Sequence, residues 1–193
     1  EIDLTQRRIN EVLKAVEILN SQGETVVLNV EGPFTIITSL VDSRIFYKAI
    51  RKNKEMIYEI LNVIEDSVIK YIQEGINRGA NIISYGDPVG SLDIVGPRVY
   101  KEFSGRVTYN ILKRMESELD NSIMHICGKT STAFQNMGYI KSHPIRFENK
   151  ITYGQAIDHI LENKKDIKII GHNCIKRTAL ELKNSTIWSI EFL

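Results

Sequence analysis

Residues 122–128 read Ser122-Ile123-Met124-His125-Ile126-Cys127-Gly128. A short, mostly apolar run closed by a turn residue is the mark of a strand buried on both faces. Two runs upstream have the same form. Val26-Val27-Leu28-Asn29-Val30 stops at Glu31-Gly32-Pro33, and Asn81-Ile82-Ile83-Ser84-Tyr85 stops at Gly86-Asp87-Pro88. Downstream, Ile167 to Gly171 runs into His172-Asn173-Cys174. Tyr139 to Phe147 is a weaker strand signal, and Thr186 to Phe192 is the last one.

Helical patterns lie between these runs. Asp3 to Ser21 carries Ile9, Val12, Leu13, Val16 and Leu19 at helical spacing, and Gly23 ends it. A short helix is expected over Thr35 to Leu40. A long one runs from Lys54 to Asn77, with Ile57, Leu61, Ile64, Val68 and Ile72 on one face. Pro97 sits where a helix can begin, and Val99 to Glu118 continues it. Thr132 to Asn136 and Gln155 to Glu162 complete the set. Strands alternating with helices predict a parallel sheet with helices outside it. Six strand signals are too few for a closed eight-stranded barrel, which normally takes ~250 residues. The expectation is therefore one domain over residues 1–193, either an open α/β sheet or a barrel lacking its first one or two units. The first residue is Glu1, which favours the incomplete barrel.

Composition narrows the function classes. The chain has 193 residues, with 25 Lys+Arg against 24 Asp+Glu. That balance gives no electrostatic case for nucleic acid or an anionic membrane surface. No apolar run approaches the ~20 residues of a membrane span. Two cysteines are too few for a disulfide framework, so a reducing cytoplasm is expected.

Those two cysteines carry the chemical argument. Each sits two residues after a histidine, in His125-Ile126-Cys127 and His172-Asn173-Cys174, at the C-terminal end of an expected parallel strand. Residues i and i+2 on a strand share a face, so each pair can present an imidazole beside a thiolate. The C-terminal rim is where such folds place their sites. Soft sulfur and imidazole donors suit Zn²⁺, with Zn–S near ~2.3 Å. The alternatives are buried thiols acting as small hydrophobes, or a Cys–His dyad, although side chains two apart on a strand stand parallel rather than facing. With the Tyr139 to Phe147 strand between them, the two pairs would start ~10 Å apart at the backbone. Glu31 and Asp87 occupy similar rim positions, where a carboxylate serves as ligand, acid/base group or helix N-cap. His143, before Pro144, is a further candidate for lining the rim; His159 belongs to a surface helix.

At these residues the sequence resembles the uroporphyrinogen decarboxylase superfamily, and most of all its zinc-dependent methylcobamide:coenzyme M methyltransferase branch. The matching stretches are Glu31-Gly32-Pro33-Phe34-Thr35, Gly79-Ala80-Asn81, Asp87-Pro88 with Ser91, the helix start at Pro97 to Phe103, His125-Ile126-Cys127-Gly128-Lys129-Thr130 and Ile170-Gly171-His172-Asn173. The resemblance implies a TIM barrel, of which this chain supplies roughly the third to eighth strands. It implies Zn²⁺, with His125 and Cys127 as ligands; the chemistry of the second pair adds Cys174 and His172 as candidate ligands, and the rim positions give Glu31 and Asp87 candidate catalytic roles and Asp87 and His143 candidate substrate-positioning ones. It also implies a methyl group moving between a methyl-corrinoid, free or protein-bound, and a small thiol acceptor. Members of that branch take a third zinc ligand from a cysteine near the last strand. Here Thr186 to Phe192 has none, so Cys174 is offered from its chemistry alone. The rival readings are a metal-free decarboxylase acting on a tetrapyrrole, with Arg98 and Arg106 as its only rim cations, and a non-catalytic metal- or corrinoid-binding subunit.

Overall fold

The computed structural model describes residues 1–193. Six strands form one sheet: β1 (Val27–Glu31), β2 (Ile82–Gly86), β3 (Ile123–Ile126), β4 (Ile140–Arg146), β5 (Ile169–Gly171) and β6 (Thr186–Phe192). Eight α-helices connect and cover them: α1 (Arg7–Ser21), α2 (Pro33–Leu40), α3 (Ser43–Lys52), α4 (Lys54–Asn77), α5 (Leu92–Val99), α6 (Gly105–Met115), α7 (Gly128–Asn136) and α8 (Tyr153–Asn163). No helix is long and apolar enough to cross a membrane.

The strand order is β1-β2-β3-β5-β6-β4. β1, β2, β3 and β5 pair in parallel. β6 pairs antiparallel with both β5 and β4. The sheet is therefore parallel-rich and open, an incomplete barrel rather than a closed one. The β1 edge carries no partner strand, and Val27, Asn29 and Glu31 on its outward-facing positions are exposed.

Two expectations are corrected by this topology. The last strand is not parallel to the others, and β4 does not lie between β3 and β5 but at the far edge. The reason is in the connection. A parallel return needs a crossover, usually a helix. Residues 172–185 hold only two 3₁₀ turns, Ile175–Arg177 and Lys183–Ser185. The chain can only fold back beside β5, and β4 then pairs with β6 on its outer side.

The helices also depart from an all-outside arrangement. The main core packs α1, α4, α6 and α7 against Leu28, Val30, Ile83, Tyr85, Met124, Ile126 and Ile169. On the opposite face, Tyr153, Ala156, Ile157 and Ile160 of α8 pack against Ile82, Ile123, Ile170 and Ile187. α8 is well specified locally, because Thr152 and Gln155 form a reciprocal capping box. α3 was not expected from sequence; Asp42 caps it by accepting from the Arg44 N–H. The Val99 to Glu118 helix is interrupted. Gly96 takes a left-handed φ of 77° ahead of Pro97, and Tyr100–Ser104 forms a π-helical turn before α6 begins.

Candidate functional site

The rim at the C-terminal ends of β1, β2 and β3 gathers Glu31, Asp87, His125 and Cys127. Register places Glu31 opposite Gly86, and the Cys127 N–H donates to the Tyr85 carbonyl at 2.9 Å, so these positions stand level. Gly86 leaves room between them: a Cβ there would lie 3.2 Å from that of Cys127.

His125 points to the α8 face of β3. It is 1% exposed, its Nδ1 lies 3.4 Å from Ser84 Oγ, and its Nε2 is buried without a partner. Burial pushes its pKa down to about 4, although backbone groups of Asn173 and of His125 itself pull partly back. The ring is neutral at pH 7, the form in which imidazole ligates a metal. Its neighbour is Tyr153 of α8, with ring centroids 5.9 Å apart. The Tyr153 hydroxyl is also buried and unpaired, and burial together with the nearby Cys174 and Cys127 raises its pKa. Tyr153 thus packs beside His125 and lies within electrostatic range of Cys127 and Cys174. Periodicity marks it only as the start of a helix, and nothing in the sequence pairs it with His125.

Cys127 is half-buried and Cys174 exposed, and both are free thiols. β3 and β5 are direct neighbours, with His125 opposite Ile170. The backbones are closer than the ~10 Å expected with a strand between them. Even so, no group of three or more His, Cys, Asp and Glu side chains lies close enough to hold a metal ion. His172 is one reason. Its left-handed φ of 62° breaks the strand alternation, and its ring lies among Ser142, Thr132 and Trp188. Its Nε2 lies 2.7 Å from Ser142 Oγ, its Nδ1 3.5 Å from Thr132 Oγ1, and its N–H donates to Ser131 Oγ at 2.8 Å. The donor types at His125 and Cys127 suit zinc, and the His125 Nε2 is buried without a partner. The third donor is not in place.

Asp87 is 4% exposed, and its carboxylate is fully engaged. It accepts from the N–H groups of Phe34 at 3.0 Å, Thr35 at 2.9 Å and Gly90 at 3.1 Å, and from Thr35 Oγ1 at 2.7 Å. It caps α2 from a neighbouring strand, the N-cap alternative among the roles open to it. Burial raises its pKa, against the pull of these four donors. Gly32 permits this contact, since a Cβ there would clash with Asp87 and stand 2.7 Å from Tyr85 Oη. Glu31 is exposed, and its carboxylate accepts one hydrogen bond, from Asn29 Nδ2 at 3.4 Å. His143 lies on the β4 edge, away from this rim, with its Nε2 3.1 Å from Glu191 Oε2. Arg106 stands 4.8 Å over the Tyr58 ring on the helix side, so it does not serve the rim.

The chain is 27% identical over 154 residues to the methylcobamide:CoM methyltransferase MtaA of Methanosarcina barkeri, covering 77% of this chain and 44% of that protein. It is 22% identical over 161 residues to the methylcobamide:CoM methyltransferase MtbA of Methanosarcina acetivorans, covering 81% and 47%. A solved methyltransferase structure from Methanosarcina mazei superposes with a TM-score of 0.57 at 28% identity, covering 69% of this chain and 40% of that one. The chain thus spans about half the length of the curated relatives it matches. The family model described as uroporphyrinogen decarboxylase matches residues 1–174, and the chain belongs to that family.

Proposed function

We propose that residues 1–193 are a single partial-barrel domain of a zinc-dependent methyltransferase, acting in the cytoplasm between a methyl-corrinoid, free or protein-bound, and a small thiol acceptor. The observation that carries the reading is the unpaired, desolvated Nε2 of His125 beside Cys127 at the end of a parallel strand. The names of the relatives in Methanosarcina support the corrinoid and the thiol. Zinc bound by thiolate and imidazole lowers the pKa of a coordinated thiol, which is a poor nucleophile at pH 7 while protonated.

The chain's own residues would divide the work as follows. Ser84 holds the His125 ring through Nδ1 and leaves Nε2 free to ligate. Cys127 supplies the thiolate. Cys174 is the third donor by chemistry, reaching across Tyr153, with Glu31 as the alternative. His172 orients the β5 end through Ser142 rather than ligating directly. Asp87 acts by holding α2 and Gly32 against the rim, so that any substrate it positions is positioned through them.

The test is the zinc content of purified protein. About one ion per chain is expected, and Cys127→Ala should remove most of it, because a charged ligand cannot be replaced by a methyl group. A chain without metal, with both thiols titrating freely, would overturn the reading. The open six-stranded sheet motivates one alternative, a non-catalytic metal- or corrinoid-binding subunit that uses a partner chain to complete its barrel. A methyl-transfer assay on the isolated chain separates the two.

A further inference from the structure

The antiparallel pairing of β4 with β6 builds a second feature, which borders the residues of the methyl-transfer reading at His172, whose ring centroid lies 6.0 Å from that of Trp188. In that ribbon Pro144 lies opposite Trp188 and Arg146 opposite Thr186. Positions two apart share a face, so these four side chains line one side of the ribbon. They wall a cleft of about 510 Å³, closed by Asn173 and Lys183, within the size range of small-molecule sites. No carboxylate lines it. Neither Arg146 nor Lys183 forms an ion pair. Of the acidic residues near the ribbon, Glu191 is held by His143, Glu181 lies 3.8 Å from Lys150, and Glu148 lines a separate groove that Arg146 borders. A second cavity of about 290 Å³ shares Asn173 and Lys183 and adds Arg177, but it is also lined by the Glu181 carboxylate and is separate from the first. In the first cleft, two free cations, an amide and a half-buried indole face one space.

We propose that this cleft binds a small organic anion with a planar body, the anion on Arg146 and Lys183 and the ring against Trp188. Arg presents a planar fork of donors suited to phosphate or carboxylate, and Lys adds a point charge. Trp supplies the apolar wall. The site needs neither metal nor corrinoid, so it stands or falls apart from methyl transfer.

Trp188 is the only tryptophan, and its fluorescence reports the site directly. Phenyl phosphate titrated into the full chain should give a saturable change that inorganic phosphate competes away and that phenol does not reproduce. Arg146→Gln or Lys183→Gln should weaken binding about five-fold, the upper range for an exposed charge pair. Both residues are exposed, and far-UV circular dichroism confirms that each variant folds. A linear, unsaturable change, an equal response to phenol, or unchanged affinity in both variants overturns the proposal.

Discussion

Replacing Asp87 by alanine tests whether this carboxylate acts in chemistry or in architecture. The carboxylate is the sole acceptor drawn on by two buried donors, the N–H groups of Phe34 and Gly90, and by the partly buried N–H of Thr35. Leaving a buried donor unsatisfied costs about 1–3 kcal/mol. Taking about 1 kcal/mol for each of the three N–H groups, of which those of Phe34 and Thr35 make up the cap of α2, gives roughly 3 kcal/mol. That is a large share of the 5–15 kcal/mol typical of a folded domain. Urea unfolding at neutral pH, followed by circular dichroism, should show a midpoint lower by roughly 1.5 M for a slope of about 2 kcal/mol per M. Asp87→Asn keeps one oxygen acceptor and removes the cost of burying a charge, so it should lose roughly half as much. A loss below about 1 kcal/mol in the alanine variant would refute the capping argument. So would methyl-transfer activity falling in the asparagine variant with stability intact, which would make Asp87 a participant in the reaction.

Two further outcomes follow from the α8 face. The unfolded imidazole takes its proton near pH 6.5, but folded His125 takes it only near pH 4. The unfolded chain therefore binds more protons between those values, and stability falls as pH drops through that window. In chelated, metal-free protein the loss should approach about 3 kcal/mol near pH 4 and should vanish in His125→Gln; a wild-type profile flat from pH 7 to 4 would contradict the burial of a neutral ring. Tyr153→Phe removes a buried hydroxyl that has no partner, so thermal or urea unfolding of metal-free protein should show stability unchanged or raised by about 1 kcal/mol. A comparable loss would mean that the hydroxyl is hydrogen-bonded after all.

The sequence by itself determined the parallel core of the sheet, the long helix Lys54–Asn77 to the residue, and the level at which Glu31, Asp87 and Cys127 end their strands. These are local properties. Apolar runs of strand length, turn residues after them and helical spacing between them are written in consecutive residues and need no distant partner to be read. Family resemblance was legible for the same reason, since it rests on short stretches in a fixed order.

Tertiary structure alone decided the rest. Nothing local in Thr186 to Phe192 says that it runs antiparallel. That follows from the missing crossover helix in residues 172–185 and from β5 offering the nearest free edge. The two His-x-Cys elements look equivalent in sequence, yet they diverge. His125 continues its strand into a buried, unpaired position, whereas His172 takes a left-handed φ and spends its ring nitrogens on Ser142 and Thr132. Asp87 has three roles open to it in sequence, and the tertiary structure selects the cap, for a helix that starts 54 positions earlier, at Pro33. Tyr153 and Trp188 acquire meaning only when α8 crosses the sheet face and β4 meets β6. Each of these depends on which segments come together across long stretches of chain, and that is settled by the burial and hydrogen bonding of the whole sheet rather than by any segment's own residues.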